Sequence, residues 1–498
     1  MIRYQNPQGV KMQEIKGRPI LTTPEGGSIA IDKALLSLWK VSDGKLSEDI
    51  QNQLKGQEFD PFEVQVALGC LAEAGLLHRD ENLRDEDLFG KFQGPLISVI
   101  IVSHNSRDWL EMSLPSLETQ TYSPLDVIVV DNASLDDSSE WVAEKYPDYK
   151  LLSLQEPGSL AKAINQGVDS AEGEYCLILN PDVKLKQDAV EKMLKVAQED
   201  QSCAAVAAKL RFLWAPAFLN GVGNSVGAIS WGQDNGLGHL DLGQFDSWTE
   251  VPSACFAAAL ISMNAWRKIG PSDENFPLYY EDSEWSYRAR ILGYSIRLAP
   301  SAVVYHAFGG RKPAGKEDEL SAKKLRQVNY GRLRFITKIL GRNYLLRYLI
   351  NYMVEDFVRL IWAVLRGRFE IPRAVLLGWQ DYLNKLPEIR YERRLLQSKR
   401  VLDDDELMRL QQRVPMPLIW HGLPELTMDA VRTSYMPLIN SGQGKRIPEI
   451  FDNQVNQSIE SSPGKLSGTI ARMKKILDAE GVNGLLNQYL RHLQWMLR

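Results

Sequence analysis

Residues Tyr175–Leu185 read YCLILNPDVKL. An apolar run, Cys176 to Leu179, fits a strand buried on both faces, and the chain then turns through Asn180-Pro181 to present one carboxylate, Asp182. A strand with no wet face belongs in a parallel sheet covered by helices on both sides. Two similar β-branched runs precede it, LISVIIVS (96–103) and LDVIVVD (125–131), with the helical stretches SRDWLEMSLPSLETQ (106–120) and LAKAINQGVDSAEG (160–173) between the runs. Strands alternating with helices predict βαβ units, and ligands of such sheets lie beyond the carboxyl ends of the strands. Each run ends in polar residues: Ser103-His104-Asn105, Asp131-Asn132 and Asn180-Pro181-Asp182. Asp182 therefore stands where an α/β sheet keeps its ligand.

An acid there can bind a ribose, a base or a metal. Further along, NFPLYYEDSEWSYRARILGY supplies Glu281, Asp282 and Glu284, with Arg288 one turn later, and SIRLAPSAVVYHAFGG carries a strand-like run to His306. Carboxylate and imidazole are natural ligands of Mn²⁺ or Mg²⁺. Such an ion can neutralise a leaving diphosphate, while a separate carboxylate takes a proton from an attacking hydroxyl. Each residue alone has a plainer reading. Asn-Pro-Asp is good turn chemistry, EDSE fits a solvated first helical turn, and Asp131 at a strand end can cap the next helix through Asn132 and Ser134.

With 498 residues the chain has room for two to four domains; its composition, 44% apolar and 24% charged, is that of a globular protein. A net charge of −5 offers nothing to nucleic acid. The cysteines, Cys70, Cys176, Cys203 and Cys255, lack metal spacing and read as reduced core residues of a cytosolic protein. No apolar signal segment opens MIRYQNPQGVKMQEIKG, and no window is apolar enough to span a bilayer. Charge is uneven, however. Residues 316–400 hold 19 Lys and Arg against 9 Asp and Glu, interleaved with Leu, Ile, Tyr, Trp and Phe. Such a basic, aromatic-rich helical segment predicts contact with an anionic membrane surface.

The chain divides into four segments. Residues 1–90 predict short strands and three helices. One is DKALLSLWKV, ending at Asp43-Gly44; one opens at Ser47 with Glu48 and Asp49; one is capped by Asp60 with Pro61 at N1 and Glu63 at N3. Residues 96–315 form the α/β domain, 316–400 the basic helical region, and 401–498 a Pro-rich connection with amphipathic helices, IARMKKILDAE and GLLNQYLRHLQWMLR, at its end.

The motifs VIIVSHNSRDWLEMSLPSLETQ, VIVVDNAS, AKAINQGVDSAEGEYCLILNPDV, YYEDSEWSYRARILGY and VVYH, in this order, make residues 96 to about 310 resemble a family 2 glycosyltransferase. The branch they resemble is that of bacterial rhamnosyltransferases and galactofuranosyltransferases. The resemblance implies a GT-A fold, Rossmann-like with a mostly parallel sheet, a nucleotide-diphosphate sugar donor, inversion, and a divalent cation, Mn or Mg. It places Ser103, Asn105 and Asp131 at the nucleotide base, and Gly158 and Asn165 along the donor. Asp182 matches the last acid of the DXD motif and, with His306, a metal site. Asp282 matches the catalytic base, supported by Glu281, while Trp285 and Arg288 shape the acceptor and donor pockets. One departure is Asn180, which replaces the first DXD acid and removes a charge. The N-terminal LSLWKVSDGKLSEDI…LAEAGLL resembles PqqD-like winged-helix modules and implies a peptide partner. The function expected is transfer of a sugar to a glycan or lipid-linked acceptor in polysaccharide synthesis, by a cytoplasmic protein peripheral to the inner face of the membrane. Two alternatives are a peptide-recruiting glycosyltransferase-like protein and a nucleotidyltransferase, although SHNSRDWLEM offers no Gly-rich basic triphosphate loop.

Overall fold

A computed structural model describes residues 3–46, 49–50, 53, 60–79, 92–227, 232–277, 279–308, 322–411 and 423–440. The helix expected at Ser47 lies largely outside the described residues, and the helices expected near the C-terminus lie wholly outside them.

The N-terminal segment supplies β1 (Arg3–Gln5), β2 (Lys11–Ile15), β3 (Arg18–Thr22), β4 (Ser28–Ile31), α1 (Lys33–Val41), β5 (Lys45–Leu46), α2 (Pro61–Glu73) and β6 (His78–Arg79). The expected cap at Asp60 forms, accepting from the Phe62 amide at 2.8 Å, and Asp32 also caps its helix, accepting from the Leu35 amide at 2.8 Å. The boundary expected at residue 90 does not isolate a folding unit. The core around Leu35, Leu68 and Leu71 continues into Phe212, Phe218 and Leu240 of the α/β domain, and into Leu426, Val431 and Tyr435. A distant strand, Glu425–Leu426, pairs in parallel with β4, and the Met428 amide donates to Asp32 at 2.8 Å. One side of this sheet is therefore held by the chain's own residues, while β2 forms its other, exposed edge.

The central sheet is built from β7 (Phe92–Ser103), β8 (Tyr122–Asp131), β9 (Lys150–Ser153), β10 (Tyr175–Leu179), β11 (Val183–Leu185), β12 (Cys203–Phe212), β13 (Ala215–Gly221), β16 (Ala258–Ser262) and β17 (Ser295–His306). The short hairpin β14 (Asn224–Val226) and β15 (Gly232–Asp234) stands apart from it. Along the sheet the order is β11-β17-β12-β16-β10-β7-β8-β9, with β13 on β12. Neighbours β10-β7-β8-β9 and β12-β17 are parallel, while β16, β11 and β13 run against them. The α/β architecture with a mostly parallel sheet is the one expected. Helices α3 (Arg107–Glu118), α4 (Ser138–Lys145), α5 (Leu160–Asp169), α6 (Ala189–Gln198), α7 (Met263–Ile269) and α8 (Glu281–Ile291) cover it. Helix α5 lies so close that a Cβ on Gly167 would sit 2.5 Å from Ile100 Cγ2 and 3.0 Å from Val130 Cγ2. Glycine is what lets this helix reach the sheet.

Beyond His306 come α9 (Ala322–Ile339), α10 (Arg342–Leu365), α11 (Glu370–Gln397) and α12 (Asp404–Arg409). Several basic residues of this region are turned inward. Arg332, Arg334, Lys338 and Arg359 are buried. Arg334 pairs with Asp273 at 2.8 Å and Glu392 at 2.7 Å, and Lys338 with Glu284 at 3.1 Å. Much of the local positive charge therefore clamps α9 to α8 and α11. Buried charges need such partners, because stripping their water is costly.

Candidate active site

The parallel strands bring their carboxyl ends to one edge, with Ser103 in register beside Asp131. Asp131 is buried, and its carboxylate accepts from the Ser134 hydroxyl and from the Ser134 amide at 3.3 Å. Asn105 joins the same cluster from a left-handed backbone (φ 51°): its amide donates to Ser134 Oγ at 2.9 Å, and its Oδ1 accepts from the Leu135 amide at 2.7 Å. Ser103 Oγ is buried there without a partner. The three residues expected at the base thus lie together at the strand ends, but Asp131 does not cap the next helix, which starts at Ser138 with Asp137 at its N-cap. Next to it Asn132 clamps Gly158 both ways, accepting from its amide at 2.8 Å and donating to its carbonyl at 3.1 Å. Asn165 is placed differently. Its amide is spent on the Ser272 carbonyl (3.0 Å), the Ser272 amide (3.0 Å) and Glu274 (2.9 Å), so it ties α5 to the loop before α8 rather than facing a ligand.

At the middle of the edge Asp182 and His306 meet. Strands β11 and β17 pair with Val183 opposite His306, which sets His306 Nε2 3.2 Å from Asp182 Oδ1. The ring's Nδ1 lies 2.8 Å from Asn220 Oδ1, and Asn180 Nδ2 approaches Nε2 at 3.5 Å. With Nδ1 donating to Asn220, Nε2 can act as a metal ligand beside the Asp182 carboxylate. The donor set fits a hard or borderline divalent ion. Among the described residues no group of three or more His, Cys, Asp or Glu is gathered to hold a metal. An ion here would draw its remaining ligands from substrate phosphate and water, as Mg²⁺ commonly does.

Asp282 opens the other wall. Two successive left-handed residues, Tyr279 (φ 58°) and Tyr280 (φ 71°), turn the chain into α8 and aim its first carboxylates at the edge. Such conformations cost of order 1–2 kcal/mol per residue. Tyr280 is held by packing on Phe335 and by accepting from the Gly232 amide at 3.0 Å. Asp282 Oδ2 accepts from Asn224 Nδ2 at 2.9 Å, and Oδ1 from the Ser283 amide at 2.6 Å. Burial nevertheless raises its pKa, the hydrogen bonds from Ser283, Phe256 and Asn224 only partly opposing the shift. Glu281, also buried, is pushed up to about 8 by desolvation and then by the Asp282 charge. Asp234 on β15 joins the two walls: burial and the Asp282 charge push it up to about 7, and the His306 ring opposes that shift.

Two expected roles change. Trp285 is fully buried, stacked on Trp266 with centroids 5.2 Å apart and donating to the Gly270 carbonyl at 3.0 Å, so it has no surface to offer an acceptor. Arg288 spends its guanidinium on Glu284 (3.0 Å) and the carbonyls of Ile269 (2.9 Å) and Pro271 (2.7 Å), so it braces α8 rather than reaching a donor. Conversely Asn220, Asn224 and Asp234 carry no motif. Their only signal is that they lie in the Gly-rich stretch between Phe212 and Phe256.

The buried acids set a pH dependence. Glu281 ionises near 4.5 when unfolded and near 8 when folded, so between these values only the native state holds the proton. Its contribution is full below pH 4.5 and is lost as pH rises towards 8. Thermal melting followed from pH 5 to pH 8 should show falling stability in the wild type and a flatter profile in Glu281→Gln, Asp234 supplying the slope that remains. An equally steep profile in the variant would show that Glu281 ionises normally in the fold.

Residues 98–262 match the family model for glycosyl transferase family 2. Among curated proteins the chain is similar to a putative teichuronic acid biosynthesis glycosyltransferase, TuaG of Bacillus subtilis (strain 168), at 33% identity over 114 residues, 22% of this chain and 44% of that protein. It is also similar to the poly-beta-1,6-N-acetyl-D-glucosamine synthase of Staphylococcus aureus (strain MSSA476), at 22% identity over 42% of this chain and 49% of that one. The chain thus spans less than half the length of either. Among solved structures S. aureus TarS 1-349 in complex with UDP-GlcNAc aligns over 63% of this chain and 90% of its own, at 17% identity and a TM-score of 0.41. The likeness to glycosyl transferase family 2 is thus carried by residues 98–262.

Proposed function

We propose that the protein is an inverting glycosyltransferase that moves a sugar from a nucleotide-diphosphate donor to a hydroxyl of a glycan or lipid-linked acceptor, in polysaccharide synthesis at the inner face of a membrane. The motif set favours the rhamnosyltransferase- and galactofuranosyltransferase-like branch with a GT-A catalytic domain. The observation that carries the reading is the pairing of two unlike acid sites over one sheet edge. Asp182 stands against His306 Nε2, and Asp282 is a carboxylate of raised basicity, with Asp234 in electrostatic contact with both sides.

In this reading Asp282 Oδ takes the acceptor hydroxyl's proton as the oxygen attacks the anomeric carbon, and the bond to the diphosphate breaks on the opposite face. A carboxylate with raised pKa is better matched to that transfer near neutral pH. Asn224 and the Ser283 amide fix the carboxylate's orientation, and Glu281, largely protonated at neutral pH, adds no second negative charge beside it. Ser103, Asn105 and Asp131 receive the nucleotide base, with Gly158 lining the donor. Asp182 and His306 would hold Mn²⁺ or Mg²⁺, which when bound supplies positive charge against the departing diphosphate. No covalent enzyme intermediate is needed.

A donor panel of deoxythymidine-, uridine- and guanosine-diphosphate sugars, assayed for nucleotide release with lipid-linked saccharide acceptors, tests this. Release from at least one donor, increased by Mn²⁺ and diminished in His306→Ala, is expected. No release from any donor with or without Mn²⁺ would overturn it.

A further inference from the structure

Helix α10 is built inside out. From residue 350 to residue 365 every exposed residue is apolar, and Ile350, Met353, Phe357, Ile361, Val364 and Leu365 are between 46% and 81% exposed. The helix's charged residues in this span, Glu355, Asp356 and Arg359, point the other way and are buried with Arg332. An ordinary surface helix has the reverse polarity. Single exposed apolar side chains are unremarkable, but a stripe running about 22 Å along one helix marks an interaction face.

Charge identifies what the face meets. Exposed Arg342 and Arg347 stand at one end of the stripe and exposed Arg366 at the other, and α10 exposes no acid; beyond it the exposed Glu370 is paired with Arg368 at 3.0 Å. Cations bordering an apolar stripe match the boundary between acyl chains and acidic headgroups. A second copy docked through the same face would set arginines against arginines. The chain's own residues 441–498 are also basic, with 8 Lys and Arg against 5 Asp and Glu, so they offer no complement. No helix among the described residues is long and apolar enough to cross a membrane, which suits a helix lying along the surface. The inner face of α10 reaches the candidate site. Tyr352 donates to the Gly227 carbonyl at 3.2 Å and Tyr348 to the Val226 carbonyl at 3.5 Å, beside the strand whose Asn224 bonds Asp282.

We infer that the outer face of α10 lies in the headgroup region of an anionic bilayer, parallel to its surface, and holds the catalytic edge near lipid-borne acceptors. The acceptor clause rests on the proposed function; the surface contact does not.

Co-sedimentation of the full chain with phosphatidylcholine vesicles, with and without phosphatidylglycerol, tests the contact. The wild type should bind the anionic vesicles, and combined Met353→Gln, Phe357→Gln and Ile361→Gln should lower partitioning at least about tenfold, with an unchanged melting temperature and unchanged donor hydrolysis in vesicle-free buffer. Combined Arg342→Gln and Arg366→Gln should weaken binding to anionic vesicles only, and more at low salt than at high. Wild type that ignores both vesicle types, or a glutamine variant that binds as well as wild type, overturns the inference. So does a water-soluble maleimide failing to label Phe357→Cys in vesicle-free protein, which would assign the face to a second copy or to residues 441–498. Loss of vesicle binding with hydrolysis intact isolates the surface, whereas intact binding with no hydrolysis of any donor isolates failure of the functional reading.

Discussion

Asp282→Asn is expected to lower sugar transfer at least about 100-fold, the scale for losing a general base, while donor affinity stays within about threefold of wild type. The side chain is isosteric: its Oδ1 can still accept from the Ser283 amide, and its new NH2 meets Asn224, which must turn its own Oδ1 towards it, so the substitution removes proton affinity at the cost of one reoriented hydrogen bond. In the proposed function the donor is held at the other corner, around Asp131, Gly158 and Asp182. Equilibrium binding of the nucleotide sugar, measured beside steady-state turnover, separates the two. Equal losses in both would mean that Asp282 holds the donor. Unchanged turnover would mean that another group takes the proton, and Asp234 would become the first candidate. The pH profile adds a signature. The wild-type rate should rise with pH as Asp282 loses its proton, and the residual rate of the variant should lack that limb.

Arg332→Ala is expected to destabilise the protein by about 3–5 kcal/mol, the usual cost of removing one partner from a buried ion cluster. Arg332 is fully buried between Glu355 (3.3 Å) and Asp356 (2.5 Å), with its Nε on Asn329 Oδ1 (2.7 Å) and its guanidinium over the Tyr352 ring. Without it, the two buried carboxylates keep one arginine, Arg359, and Asp356 keeps the Trp379 indole N–H. Denaturant unfolding checks the magnitude. Combined Arg332→Met and Asp356→Leu restores the charge balance and should recover part of the loss, a coupling measured by the double-mutant cycle. Purely additive losses would show that the guanidinium acts through packing alone. The cluster also explains why α10 can turn its apolar side outward: the charged side is consumed inside the protein.

Much of the site was legible because it sits at element ends. A β-branched run closed by a polar residue declares both a strand and the place where it stops, which located Ser103, Asp131 and Asp182. His306 and Asp282 were found in the same way, at a strand end and a helix start. The residues that escaped were set by pairings distant in the chain. Asn220 reaches His306 across 86 positions, and Asn224 reaches Asp282 across 58. Trp285 and Arg288 were misplaced for a related reason: on a helix of both charged and aromatic residues, nothing local says which turn faces the pocket and which faces Trp266 or Glu284.

The basic segment shows the same limit in energetic form. Periodicity of 3.6 residues decides which side chains share a helix face, but not what stands opposite that face, and a buried arginine has the same sequence signature as a solvated one. By itself the sequence determined the alternation of strands and helices, the edge on which ligands gather, and the acids and histidine that reach it, because these depend on local periodicity and on the chain direction of a parallel sheet. Only the tertiary structure decided that Asp234 joins the two walls, that residues 423–440 complete the N-terminal core, and that α10 faces outward with its apolar side. Each of these depends on contacts between segments far apart in the chain, where burial and charge pairing, not local propensity, set the free energy.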